Sequence, residues 1–230
     1  MPHDQAYLQA EKKIEEARRS GATKLDLSNM KLTELPESIG QLTHLLKLDI
    51  GHDWGKGSDN KNQLTTLPES LGQLTQLQSL NLSSNQLTTL PEWLGQLTQL
   101  QSLHLYGNQL TALPEWLGNL TQLQSLSIGE NKLISLPETI SKLRNLKEFS
   151  IHNNRLTFLP YWVGKLKNLT DLTLGDAMGG IPLQSLPESI QQLVNLKILY
   201  ASRCDLESLP KWISNLSQLN ELVIQHRVLC

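Results

Sequence analysis

Leu77-Gln78-Ser79-Leu80-Asn81-Leu82-Ser83-Ser84-Asn85-Gln86-Leu87-Thr88-Thr89-Leu90-Pro91-Glu92-Trp93-Leu94-Gly95-Gln96-Leu97-Thr98-Gln99 is one full period of this chain. The next period places Leu100, Leu103, Leu105, Asn108, Leu110, Leu113, Pro114, Leu117 and Leu120 at the same offsets. Two more follow, through Leu126, Ile128, Asn131 and Pro137, then Phe149, Ile151, Asn154 and Pro160. Leu80-x-Leu82 has the two-residue period of a short strand. Leu94-x-x-Leu97-x-x-Leu100 has the three-residue period of a 3₁₀ or short helical turn. Proline opens that turn, where its missing N–H costs nothing. One unit cannot bury its own leucines. Stacked units close them into a shared core, with their strands side by side in a parallel sheet.

Outward from this stretch the rhythm continues in both directions. Leu-Pro pairs fall at Pro36, Pro68, Pro91, Pro114, Pro137, Pro160, Pro187 and Pro210, with steps of 32, 23, 23, 23, 23, 27 and 23 residues. Asn85, Asn108, Asn131 and Asn154 recur just after the strand. An amide in that tight turn is expected to donate to and accept from backbone groups that the turn leaves unpaired. Met30, Cys204 and Arg227 stand at this offset in other units. Cys204 reads as a small structural substitute rather than a nucleophile.

This pattern is that of the leucine-rich repeat family, and the resemblance runs from Ala22 to Leu229. Nine strands align, centred on Leu25-Leu27, Leu48-Ile50, Leu80-Leu82, Leu103-Leu105, Leu126-Ile128, Phe149-Ile151, Leu172-Leu174, Leu199-Ala201 and Leu222-Ile224. The resemblance implies an α/β solenoid, an arc with a parallel concave sheet of about nine short strands and a convex side of 3₁₀ or short helical turns. It also implies that the usual role is binding another protein. The opening of the repeats, Gly21-Ala22-Thr23-Lys24-Leu25-Asp26-Leu27-Ser28 behind a helix, locally resembles leucine-rich regions of bacterial Roco-type GTPases and cyanobacterial signalling proteins.

Two units of organisation are expected, a capping helix in 1–21 and a repeat domain in 22–230. In the first, Tyr7, Ala10, Ile14 and Ala17 make one apolar stripe. Asp4 is placed to cap its start, Arg18 and Arg19 suit its end, and Gly21 stops it. Both charge signs on its polar face argue against a membrane-surface helix. The other end begins a ninth strand with no polar cap. A longer parent chain with a downstream domain in contact, a second subunit packed there, and a tolerated ragged end are the three readings, and the first and third are favoured over a dimer contact.

Composition narrows function. The 230 residues carry 20 basic and 22 acidic side chains, a formal net charge of -2, which gives no footprint for nucleic acid or an anionic membrane. Cys204 and Cys230 make no disulfide or zinc framework. No apolar signal segment opens the sequence and no run approaches a membrane span, so a cytoplasmic protein is expected. Sequons at Asn81, Asn119, Asn168 and Asn215 are then accidents of an Asn-, Leu-, Thr- and Ser-rich repeat. No cofactor is expected.

The interruptions carry the functional expectations. An insertion at 51–61, glycine-rich and polar, contains Trp54, an aromatic suited to anchoring an interface. Its glycines lack the spacing of a phosphate loop. A second insertion, 176–182, leaves the same sheet edge, and the two could flank roughly 20–25 Å of sheet at the spacing of parallel strands. Neutral loop growth is the plain alternative.

Strand alternation gives three outward columns. The residues between paired core positions run from Asp26 and Asp49 through His104 to Tyr200 and Val223. Those just before run from Lys24 and Lys47 through serines to Glu148, Asp171 and Ile198. Those just after include Tyr106 and His152. With Arg203, the residues His104, Tyr106, His152, Asp171, Ile198, Tyr200 and Val223 are the candidate partner contacts, for a protein or peptide. His104 and His152 make no metal site and no serine–histidine–acid order is evident, so enzymatic activity is not expected. Trp93, Trp116, Trp162 and Trp212 share one convex offset and are expected to pack along the ridge rather than form a second binding surface. An accessory domain of a larger GTPase or signalling protein is the alternative function.

Overall fold

The computed structural model describes residues 4–52, 60–177 and 179–224. One nine-stranded parallel sheet runs the length of the chain in sequence order. Its strands are β1 (Lys24–Asp26), β2 (Lys47–Asp49), β3 (Ser79–Asn81), β4 (Ser102–His104), β5 (Ser125–Ser127), β6 (Glu148–Ser150), β7 (Asp171–Gly175), β8 (Ile198–Ala201) and β9 (Glu221–Val223). Register is unbroken from Leu25 through Leu48, Leu80, Leu103, Leu126, Phe149, Leu172 and Leu199 to Leu222. The single irregularity follows Thr173, where the second insertion begins. After each of β1 to β8 a 3₁₀ turn follows the repeat proline, whose carbonyl accepts the turn's first hydrogen bond, as in Leu117 N–H to Pro114 O at 3.1 Å. Leucine and isoleucine from strand and turn meet in one continuous core.

Helix α1 (Gln5–Ser20) covers the first repeat. The Asp4 side chain accepts from Tyr7 N–H at 2.8 Å, and Gly21 ends the helix in the left-handed conformation. Ala10, Ile14 and Ala17 are buried against the core. Lys13 Nζ donates to Asp26 O at 2.8 Å, tying the helix to the first strand. Among the described residues no helix is long and apolar enough to cross a membrane.

The asparagine column forms a ladder between units. Asn131 Nδ2 donates to Leu105 O (3.0 Å) in the preceding unit and to Ile128 O (3.1 Å) in its own, while its Oδ1 accepts from Leu110 N–H (3.0 Å). Asn62, Asn85, Asn108 and Asn154 repeat the arrangement. The ladder changes at Ile181, which is fully buried at the asparagine offset of the seventh unit. Buried Cys204 then donates its thiol to Leu174 O at 3.6 Å, and burial pushes that thiol's pKa up to about 11.

On the convex side Trp116 and Trp162 are 8% and 7% exposed, and Trp93 and Trp212 are partly buried against the core. Each ring's offset faces the turn of the preceding unit. A Cβ on Gly72 would lie 3.4 Å from Trp93, an ordinary contact, and one on Gly95 would lie 3.1 Å from Trp116, a tight contact but not a backbone clash. Where a small residue replaces tryptophan the backbones close in, and a Cβ on Gly118 would lie 2.4 Å from Thr139 O. Gly118→Ala is therefore expected to destabilise by about 1–3 kcal/mol, while Gly72→Ala stays within about 1 kcal/mol of the parent. Paired urea melts of the two variants check this.

Candidate functional site

Backbone register fixes which side chains share the open face of the sheet. Lys24, Lys47, Ser79, Ser102, Ser125, Glu148, Asp171, Ile198 and Glu221 form one column, and Asp26, Asp49, Asn81, His104, Ser127, Ser150, Thr173, Tyr200 and Val223 form the next. Both are half-buried or exposed along their whole length. His104 is half-buried, its Nε2 3.0 Å from Ser102 Oγ, and burial lowers its pKa. Tyr200 donates to Glu221 Oε1 at 2.7 Å, a bond that raises the phenol's pKa. Val223 is its register partner on β9, and Ile198 lies two residues before it on β8. A hollow of about 320 Å³ opens over β4 to β7, with Ser127 and Ser150 on its floor and His104, Glu148, Asp171 and Thr173 around it.

The third column corrects the expectation from alternation. His152 is not an outward side chain; it is 7% exposed. Ser28, Ser83, Gly129, Gly175 and Ser202 in the same column are also buried, and Tyr106 is half-buried. Past the second core residue the chain dips into the asparagine turn, and side chains at this offset lean onto the neighbouring unit. The His152 ring lies over Gly129, where a Cβ would meet Cε1 at 2.6 Å. Tyr106 packs against the same ring, centroids 5.6 Å apart. Burial and a hydrogen bond to Glu130 hold the Tyr106 phenol well above its usual pKa.

His152 also joins two groups that the sequence kept apart. Its Nδ1 is 2.8 Å from Ser150 Oγ and its Nε2 is 3.3 Å from Asp176 Oδ2. Asp176 opens the second insertion and accepts from Gly179 N–H at 3.1 Å, while Gly175 bridges to Gly180. A serine–histidine–aspartate chain thus exists where no such order was evident. The Ser-x-His spacing on one strand face and the acid at the head of an insertion one unit later were the available signals. Both ring nitrogens are engaged and the imidazole is packed on two sides, so the contact ties Asp176, at the head of the second insertion, to the sheet.

The remaining candidates are dispersed. Arg203 is exposed in the turn after β8, with φ of 55°, a left-handed conformation it shares with Ser84, Glu130 and Asn153 at that offset. Trp54 lies outside the described residues. Among those described, no group of three or more histidine, cysteine, aspartate or glutamate side chains is arranged to hold a metal.

The comparisons agree with this architecture. A family described as leucine-rich repeat region matches residues 58–132 and 94–180, and the leucine rich repeat itself matches 22–42 and 195–216. No curated protein matches the chain in sequence. Among solved structures, a leucine-rich repeat protein of Leptospira interrogans is 30% identical over 92% of this chain and 69% of its own, with a TM-score of 0.59. The leucine-rich repeat domain of the type III effector XopL is 27% identical, covering 95% and 82%, with a TM-score of 0.72. Internalin C2 of Listeria monocytogenes, at 24% identity, shares the fold over 96% of this chain and 93% of its own, with a TM-score of 0.80. From its repeat, its register and these matches, the chain belongs to the leucine-rich repeat family.

Proposed function

We propose that this protein is a non-enzymatic interaction module that takes a protein or peptide on the concave face of its sheet. The observation that carries this reading is the contrast between columns. Two columns stay accessible along nine strands, while the third is spent on packing. Small serines in the middle leave room for a partner's side chains. Toward the C-terminal strands Ile198, Tyr200 and Val223 add the apolar and aromatic area that interface centres use.

Tyr200 and Tyr106 separate binding from folding. Tyr200→Ala removes one hydrogen bond at the exposed end of the sheet, so the melting temperature is expected to stay within about 2 °C of the parent. Tyr106→Ala opens the packing on His152 and is expected to lower it by about 4 °C or more. Calorimetry measures both, and titration with a captured partner should show weaker binding for Tyr200→Ala. Unchanged affinity there, with Tyr106→Ala also neutral, would remove these strands from the binding surface.

A contact of the last repeat with a downstream domain or a second subunit, as in an accessory domain of a larger GTPase or signalling protein, is favoured by one observation. Leu209 and Leu222, at offsets buried in earlier units, are 44% and 36% exposed. Sedimentation across a concentration series tests the second-subunit form of that contact, and a monomer throughout would exclude it.

A further inference from the structure

The open columns differ along the sheet in charge, and the difference indicates what they hold. Resting on the concave-face reading above, we infer that the partner presents a basic side chain, arginine above all, to the hollow over β4 to β7.

Glu148 and Asp171 are direct register neighbours on β6 and β7. Like charges placed opposite one another weaken a sheet, and adjacent parallel strands are only about 4.8 Å apart. No cation lines the hollow to offset the pair. Lys147, next to Glu148 in sequence, sends its Nζ to Gln124 Oε1 at 3.0 Å. His104, the one ionisable base in the lining, has its pKa lowered by burial, which disfavours its charged form. The carboxylates are held rather than loose: Ser125 Oγ donates to Glu148 Oε2 at 2.9 Å and Thr170 Oγ1 donates to Asp171 Oδ2. Each keeps a second oxygen for a ligand.

Shape agrees with charge. Ser127 and Ser150 keep the floor low, and a volume of about 320 Å³ admits one long side chain. A guanidinium carries five N–H donors in a planar fork and can serve two neighbouring carboxylates at once. An anionic ligand would meet the carboxylate pair and is excluded. The first column changes sign along the sheet, from Lys24 and Lys47 on β1 and β2 to Glu148 and Asp171. A segment lying across the strands is thereby oriented, its basic residue over β6 and β7.

The test is a displayed random dodecapeptide library, selected on the full chain. The expected winners carry arginine or lysine, and a synthetic winner loses at least about tenfold in affinity on Glu148→Gln/Asp171→Asn, as charge-assisted hydrogen bonds require. Its affinity should also fall with added salt. A second variant, Ser127→Arg/Thr173→Arg, fills the hollow and should abolish binding. Circular dichroism melts confirm that both variants fold. Peptides without basic residues that bind Glu148→Gln/Asp171→Asn normally but fail on the filled hollow would overturn the basic-ligand inference alone. Peptides indifferent to both variants would overturn the concave-face reading as well. A library that yields no binder counts against the inference.

Discussion

Truncating Phe149 to alanine is expected to destabilise the protein by about 3–5 kcal/mol, the range for a large aromatic removed from a packed core. Among the described residues Phe149 is the largest fully buried side chain, and it sits at the inward position of β6. Every other strand places a leucine there, from Leu25 to Leu222. The phenyl ring is thus the one departure from leucine in this inward column. That makes a second variant informative. Phe149→Leu restores the residue that the other strands use, and it is expected to cost under about 1.5 kcal/mol. Because each repeat contacts only its neighbours, the alanine variant should also lose cooperativity, the units around β6 opening before the ends. Urea melts followed by circular dichroism, with hydrogen exchange to locate the opening, measure both effects. Equal losses for alanine and leucine would mean that ring shape rather than filled volume is what the core needs.

Asn131→Ala is expected to cost about 3 kcal/mol, near the sum of the hydrogen bonds it removes. Leu105 O and Ile128 O each keep a second donor, Asn108 Nδ2 and Asn154 Nδ2, so these carbonyls are not orphaned. Leu110 N–H, which donates to Asn131 Oδ1, loses its acceptor in a buried turn. That unpaired donor dominates the cost. Asn131→Asp sharpens the test. A carboxylate still accepts from Leu110 N–H but faces Leu105 O, Ile128 O and Gly129 O with no donor of its own. It should be at least as damaging as alanine at neutral pH. A stability loss below 1 kcal/mol (about the value of one ordinary hydrogen bond) for both variants would show that the ladder is incidental to folding.

These two sites also show what the sequence made legible. The strands, the turns after each proline and the donor-acceptor role of the asparagines follow from periods of two and three and from the chemistry of an amide. Such features repeat, so one unit explains the rest. Burial at the His152 offset recurs along the array, but the partners of His152 do not. Its packing depends on Gly129 in the preceding unit leaving room for the ring and on Asp176 arriving from the insertion of the following unit. Strand alternation carries no information about either. Ile181 could have been placed by counting back from Leu183, because the insertion ends before the leucine offsets resume. The hollow at Glu148 and Asp171 was only half visible. Both residues stood in an outward column, but their placement beside His104 across a serine floor needed the register of four strands.

Photo-crosslinking tests the concave-face claim most directly. A benzophenone side chain is introduced singly at Lys47 and Glu221, exposed on the open face of the sheet, and at Thr121 and Lys165, exposed on the convex side. The chains are irradiated in lysate of the source cells, with excess unlabelled protein as competitor. One competed adduct is predicted from the two concave positions and none from the convex pair. The same adduct from Thr121 or Lys165 alone, or equally from all four, would contradict a concave binding surface.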